Sequence, residues 1–374
     1  MRSVAIVLSA ILLSLGACEG AADLLGLVDQ ARGTPDQYRF YRFDPVLGWS
    51  QTPDFVGILR RAEFTNSIRI NRHGMRYRES ARARRPGLAR VAVLGDSFAW
   101  GLGVEEEDRF TEQVERRFDG KIELLNFAVA GYAPVQYSLM LNDVMSFKPD
   151  LVVVVFCLGN DLVDNVMWQR YGYYKPYAEF DGAASVRISG YSLPNVGKFG
   201  GLSADANVVA RWFDQHSALY HRTALLSREV KLFEVGQRGL TALDDTGRDF
   251  YVEASDLSRD KQTAVTAAFE INRRLLLAMS RQIELEGTRL LLLPAPTKCE
   301  FGRCFRDLSE APNLRVLHQL VSTAQSLNVP IVDTEATLTL ADFWNDDGHW
   351  RASGHRKMAD ALARWLSANL SLGP

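Results

Sequence analysis

Several things are scarce in this chain, and each scarcity excludes something. Among 374 residues there are four cysteines and six histidines. Cys299 and Cys304 have no further cysteine or histidine close by, which argues against a metal site built on them. Neither sign of charge dominates, since 43 Lys and Arg face 45 Asp and Glu for a net charge of -2. A chain so balanced gives no reason to expect nucleic acid or an anionic membrane surface as a partner. No apolar run reaches the roughly 20 residues that a spanning helix needs. There is no internal repeat and no low-complexity tract. There is also no Gly-x-Ser-x-Gly, which disfavours an ordinary α/β-hydrolase nucleophile elbow.

What is present begins at the amino terminus. Met1-Arg2-Ser3 carries one positive charge, and Val4 to Leu15 is almost wholly apolar. A basic start, a short apolar core and small closing residues read as a secretion signal over 1–17. Leu15-Gly16-Ala17-Cys18 resembles the bacterial lipobox, which implies cleavage before Cys18 and diacylglycerol on its thiol. Residues 18–37 then read as a tether. The expected location is the bacterial cell envelope, with the protein anchored by lipid to a membrane. In that oxidising compartment Cys299 and Cys304 are expected to form a disulfide. Cys157, inside an apolar run, reads as a small core residue.

Residues 38–85 hold turn residues and short alternating stretches, a small β-rich lead-in. Arg76, Arg78, Arg82, Arg84 and Arg85 read as a solvated basic loop. Strands and helices alternate after Pro86. Val91–Leu94, 122–127 and 151–156 read as strands, with helices carrying Phe110, Val114 and Phe118, then Tyr137, Met140, Leu141 and Val144. Residues from about 165 to 260 break the rhythm as an insertion, with a hairpin near Asp181-Gly182. The alternation resumes with a helix over about 263–286, a strand at 289–293, a helix near 312–327, a strand at 329–333 and a last helix over about 353–370. The pattern predicts a parallel sheet with helices on both faces, one domain over 38–374.

In open α/β sheets, reactive groups collect at the carboxyl ends of strands. Four polar stretches fall there: Gly95-Asp96-Ser97, the loop ending Gly131-Tyr132, Gly159-Asn160-Asp161, and Asp346-Asp347-Gly348-His349. Cleaving an ester at a serine needs a base, a carboxylate to hold it, and donors for the oxyanion. His349 and Asp346 can supply the first two. The N–H groups of Ser97 and Gly131 and the Asn160 amide can supply the third.

The four blocks, in this order, resemble those of the SGNH hydrolases, also called GDSL esterases and lipases. The likeness covers roughly residues 88–368, the insertion excepted. It implies a flavodoxin-like three-layer α/β/α sandwich and a triad of Ser97, His349 and Asp346, the family spacing favouring Asp346 over the competing Asp347. It implies no cofactor and no metal. The nucleophile block departs from the family in reading Gly-Asp-Ser-Phe, and Ala128 stands where an earlier glycine is usual.

Blander roles exist for the same residues. Ser97 can cap a helix and Asn160 can close a turn. Asp346, Asp347, His349 and His355 can be read as metal ligands, but His355 falls within the last helix. Trp100, Tyr132, Trp344 and Trp350 flank the motifs and suit either a pocket or the core. The expected activity is hydrolysis of carboxylic esters, with an O-acetylated glycan as substrate and a lipid ester, thioester or other small-molecule ester as the second choice. An O-acyltransferase would use the same triad on a sugar acceptor. A catalytically silent glycan-binding protein is the third possibility, and the presence of Ser97, Asn160 and His349 together argues against it.

Overall fold

In a computed structural model, residues 40–170, 173–181, 185–190, 259–298 and 312–370 are described, with six more between 14 and 21. The expected disulfide of Cys299 and Cys304 lies outside the described residues, as does most of the expected insertion. Cys18 is exposed and Cys157 buried.

Two antiparallel hairpins open the described chain: β1 (Tyr41–Asp44) with β2 (Gly48–Gln51), and β3 (Val56–Arg60) with β4 (Thr65–Arg69). The central sheet is parallel. It is built from β5 (Ala89–Leu94), β6 (Ile122–Asn126), β7 (Leu151–Cys157) and, after an interval, β12 (Arg289–Ala295). Its order is β12-β7-β5-β6. A single parallel bridge from Ile331 to Leu292 adds a fifth position beyond β12, so the expected strand at 329–333 is reduced to an edge contact.

The strand sequence explains the sheet. All seven residues of β7, Leu-Val-Val-Val-Val-Phe-Cys, are buried. A strand paired on both edges and covered on both faces has no side to give to water, and branched side chains suit it. Helices α1 (Ser97–Trp100) and α2 (Phe110–Arg117) follow β5, α3 (Pro134–Met145) follows β6 and α4 (Asp161–Asp164) follows β7. Then come α5 (Arg259–Leu285), α6 (Pro312–Leu327) and α7 (Ala352–Asn369). The crossover from β5 to β6 runs one way across the sheet and that from β6 to β7 runs back. Right-handed crossovers therefore put α2 and α3 on opposite faces. Helix α7 packs on α2, and α5 on α3, which completes the two outer layers.

Between α4 and α5 lie the short pair β8 (Gln169–Arg170) and β9 (Tyr173–Tyr174) and the hairpin of β10 (Tyr177–Asp181) and β11 (Ser185–Ser189). Asp181 pairs with Ser185 at the closed end of that hairpin, beside the position expected from Asp181-Gly182.

In the basic run Arg82, Arg84 and Arg85 are exposed as expected, and Arg76 departs from expectation. Arg76 is buried. Its guanidinium donates to the carbonyls of Gly101 at 2.6 Å and Val104 at 2.7 Å and lies 4.5 Å from the Trp100 ring centre. Burial and the neighbouring Arg109 pull its pKa down to about 9. Arg78 pairs with Glu115, Arg82 with Asp143 and Arg84 with Asp150. The cluster is the seam joining the lead-in to the sandwich. Alternating arginines in a turn-rich stretch look alike in sequence whether they face water or carbonyls.

Candidate active site

Strand order reverses between β5 and β7, where α/β sheets open a crevice at their carboxyl ends. Ser97 follows β5, Gly131 follows β6 and Asn160 follows β7. The nucleophile turn is held from both sides. The Val129 N–H donates to the Gly95 carbonyl at 3.0 Å, and a Cβ on Gly95 would fall 2.5 Å from that of Ala99. The α1 cap is Asp96, whose carboxylate accepts from the Phe98 N–H at 2.9 Å. Ser97 is thereby relieved of capping and begins the helix with its hydroxyl unspent.

That hydroxyl lies 2.7 Å from His349 Nε2. The opposite ring nitrogen, Nδ1, lies 2.5 Å from Asp347 Oδ1. With the ring proton on Nδ1, the serine donates to the ring and the ring donates to the carboxylate.

The expected partner, Asp346, is not the one that meets the ring. Gly348 takes a left-handed φ of 81° and folds the chain back between Asp347 and His349. Side chains two apart across that reversal meet. Asp346 stays exposed at the loop tip. The ends of the loop are closed by the Phe343–Trp350 bridge and by the Trp344 N–H on the His349 carbonyl at 2.9 Å. Burial raises the Asp347 carboxyl, but the His349 bond and charge, with Arg61, outweigh it and hold it below the usual aspartate range.

Among the described residues, the backbone N–H groups of Ser97 and Gly131 meet no acceptor. Gly131 has a φ of 81°, which a side chain would resist. Asn160 is buried, and its amide donates to Asp164 Oδ2 at 2.7 Å. One amide hydrogen is used there and the second is left. Unpaired buried N–H groups are rare enough to require an explanation. A developing oxyanion is the acceptor this set suits.

Phe98, the departure from the family block, packs tilted by 34° beside the base, its ring centre 4.7 Å from that of His349. Trp100, Tyr132 and Trp350 are buried core residues. Trp344 is half-buried, against Phe64 and under the Arg351 guanidinium. His355 is buried between Phe110 and Trp350, and burial keeps it well below the usual histidine value. Beneath the nucleophile, burial raises both Asp96 and Asp161, the latter also through the charge of Asp96.

Two residues outside the motifs touch the loop. Glu63, in the β3–β4 turn, accepts from the backbone N–H groups of Asn345, Asp346 and Asp347. Lys298 donates to the carbonyls of Trp344 and Asn345. Neither stands in a recognisable pattern, and a glutamate in a surface turn carries no signal that sequence reading could have used.

A family model described as SGNH hydrolase-like domain, acetyltransferase AlgX matches residues 250–373. The matched stretch, about a third of the chain, contains Asp347 and His349 but not Ser97, Gly131 or Asn160. Solved structures similar to this chain include a lipase/acylhydrolase from Enterococcus faecalis, at 14% identity and TM-score 0.40, covering 77% of this chain and 100% of that one. An acetyl xylan esterase from Geobacillus stearothermophilus matches at 12% identity and TM-score 0.40, with coverage of 77% and 100%. A putative lipolytic protein of the G-D-S-L family from Desulfitobacterium hafniense matches at 11% and 0.37, with coverage of 74% and 98%. No curated protein matches significantly.

Proposed function

We propose that this chain is a serine enzyme acting on carboxylic esters through an acyl-enzyme on Ser97. The observation that carries the reading is the relay Ser97–His349–Asp347, with hydrogen bonds of 2.7 and 2.5 Å. His349 takes the serine proton as Oγ attacks the ester carbonyl. Asp347 holds the ring and stabilises the imidazolium. The N–H groups of Ser97 and Gly131 and the free hydrogen of Asn160 receive the oxyanion. Collapse breaks the ester C–O bond, and His349 returns its proton to the departing alcohol. A second nucleophile then gives its proton to His349 and takes the acyl group from Ser97, whose Oγ recovers the proton from His349.

If that nucleophile is water, the enzyme is an esterase, and an O-acetylated envelope glycan is the substrate we favour. If it is a sugar hydroxyl, the enzyme is an O-acyltransferase. The family model's description as an acetyltransferase supports this second reading. We further propose that the protein is exported and tethered through lipid on Cys18. Mass spectrometry of the mature N-terminal peptide tests that part.

The decisive assay uses p-nitrophenyl esters of increasing chain length, with and without an acceptor glycan. Release of p-nitrophenol with free acid supports hydrolysis. Acyl glycan formed at the expense of free acid supports transfer. No release from any ester by folded protein overturns both.

A further inference from the structure

The acid–base loop hangs outside the sheet, and what fixes it comes from elsewhere in the chain. Glu63 Oε1 accepts from the Asn345 N–H at 2.8 Å, and Oε2 accepts from Asp346 at 2.7 Å and Asp347 at 2.8 Å. One carboxylate thus takes three consecutive backbone donors, across more than 280 residues of sequence. Three N–H groups converging on one anion form a charge-assisted nest. The third donor belongs to Asp347 itself, so the clamp fixes the backbone from which the His349 partner projects. From the other side, Lys298 Nζ donates to the carbonyl of Trp344 at 3.3 Å and to that of Asn345. Partial desolvation raises Glu63, but the three bonds outweigh it and its carboxyl sits below the ordinary glutamate value.

The hairpin that carries Glu63 is seated independently of this clamp. The Ser67 N–H donates to Glu105, Arg69 pairs with Glu106 at 2.7 Å, and Leu59, Phe64 and Ile68 are buried. Glu63 is only half-buried at the turn. It contributes little to burying the hairpin, and its carboxylate is aimed at the loop.

We propose that Glu63 is a positioning residue for the triad: it holds the 345–347 backbone so that Asp347 meets His349. The inference rests on the triad reading above. Displacing a catalytic group by about 1 Å can cost on the order of 10²-fold in rate. Glu63→Ala should therefore slow the chemical step about 10- to 100-fold. KM should stay near its original value, because Glu63 is placed on the loop and not on substrate. Glu63→Gln keeps an acceptor oxygen but brings an N–H against N–H donors, and should fall between the two. Arg69→Ala removes another exposed link of the same hairpin and should leave the rate unchanged.

The test has two readouts. The first is the rate at which a fluorophosphonate probe labels Ser97 in wild type, Glu63→Ala, Glu63→Gln and Arg69→Ala. The second is the proton NMR signal of His349 Nδ1–H, shifted far downfield by a short bond to a carboxylate. The expected result is slowed labelling with loss or upfield movement of that signal in Glu63→Ala, partial recovery in Glu63→Gln, and neither change in Arg69→Ala. Folded Glu63→Ala with wild-type labelling and an unmoved signal overturns the inference. If Glu63→Ala does not fold, the same reading is taken from Glu63→Gln. A wild-type protein that never labels refutes the ester-enzyme reading instead, and the NMR comparison still decides whether Glu63 orders the loop.

Discussion

The two halves of the candidate triad are built differently. Ser97 stands at the end of a strand whose last five residues are all buried, in a turn fixed by main-chain bonds to the neighbouring β6 loop. Asp347 and His349 stand on a loop closed by one bridge and clamped by the side chains of Glu63 and Lys298. The nucleophile is placed by the sheet. The acid–base pair is placed by long-range polar contacts that any one substitution can remove. A fold can thus hold one reactive group by architecture and adjust another by side chains without disturbing the core.

The largest effect that would break this comparison is loss of the nucleophile. Ser97→Ala should reduce ester turnover by at least about 10⁴-fold with an unchanged melting temperature, because the α1 cap is Asp96 and not Ser97. Steady-state kinetics with circular dichroism checks both halves. On the loop, the two aspartates should separate cleanly. Asp347→Asn should lower kcat by about 10⁴-fold by favouring the wrong ring tautomer, whereas Asp346→Asn should leave it nearly unchanged. Equal losses in the two variants would return Asp346 to consideration.

A smaller loss is expected at the oxyanion donors. Asn160→Ala should cost on the order of 10²–10³ in kcat with little change in KM. A fall in thermal stability with normal kcat would reduce Asn160 to a turn residue. The seam gives a stability contrast. Arg76→Ala leaves buried carbonyls without a donor and should destabilise by at least about 2 kcal/mol, while the exposed Arg85→Ala should stay within about 0.5 kcal/mol. Denaturant melts of the two variants measure this.

The subtlest effect is on acidification. Glu63 and Asp347 both sit below their ordinary values in the folded protein. The stability each contributes is present above its unfolded value and is lost as pH falls through its folded value. Hydrogen exchange should show the 345–347 amides opening in that window while β5 and β7 remain protected. Opening of strand and loop together would erase the distinction between the two halves.

The same difference explains what sequence could and could not reveal. Buried parallel strands announce themselves by continuous apolar runs, so β5, β6, β7 and β12 were legible, and with them the strand ends that carry Ser97, Gly131 and Asn160. The loop was legible as a motif but not in its geometry. Choosing between Asp346 and Asp347 depends on the φ of Gly348, and a motif spacing does not specify a backbone torsion. Glu63 and Arg76 were illegible for a related reason. Their roles come from backbone groups brought close only by the tertiary fold, and backbone groups have no letter in the sequence.

The most direct test of the central claim is to trap the acyl-enzyme. The protein is mixed briefly with p-nitrophenyl acetate, quenched in acid, digested and analysed by mass spectrometry. The account predicts that the peptide containing Ser97 gains the mass of one acetyl group, that fragmentation places it on Ser97, and that Ser97→Ala gains none there. Turnover of the ester with no acyl group on Ser97, or with the acyl group on another residue, would contradict it.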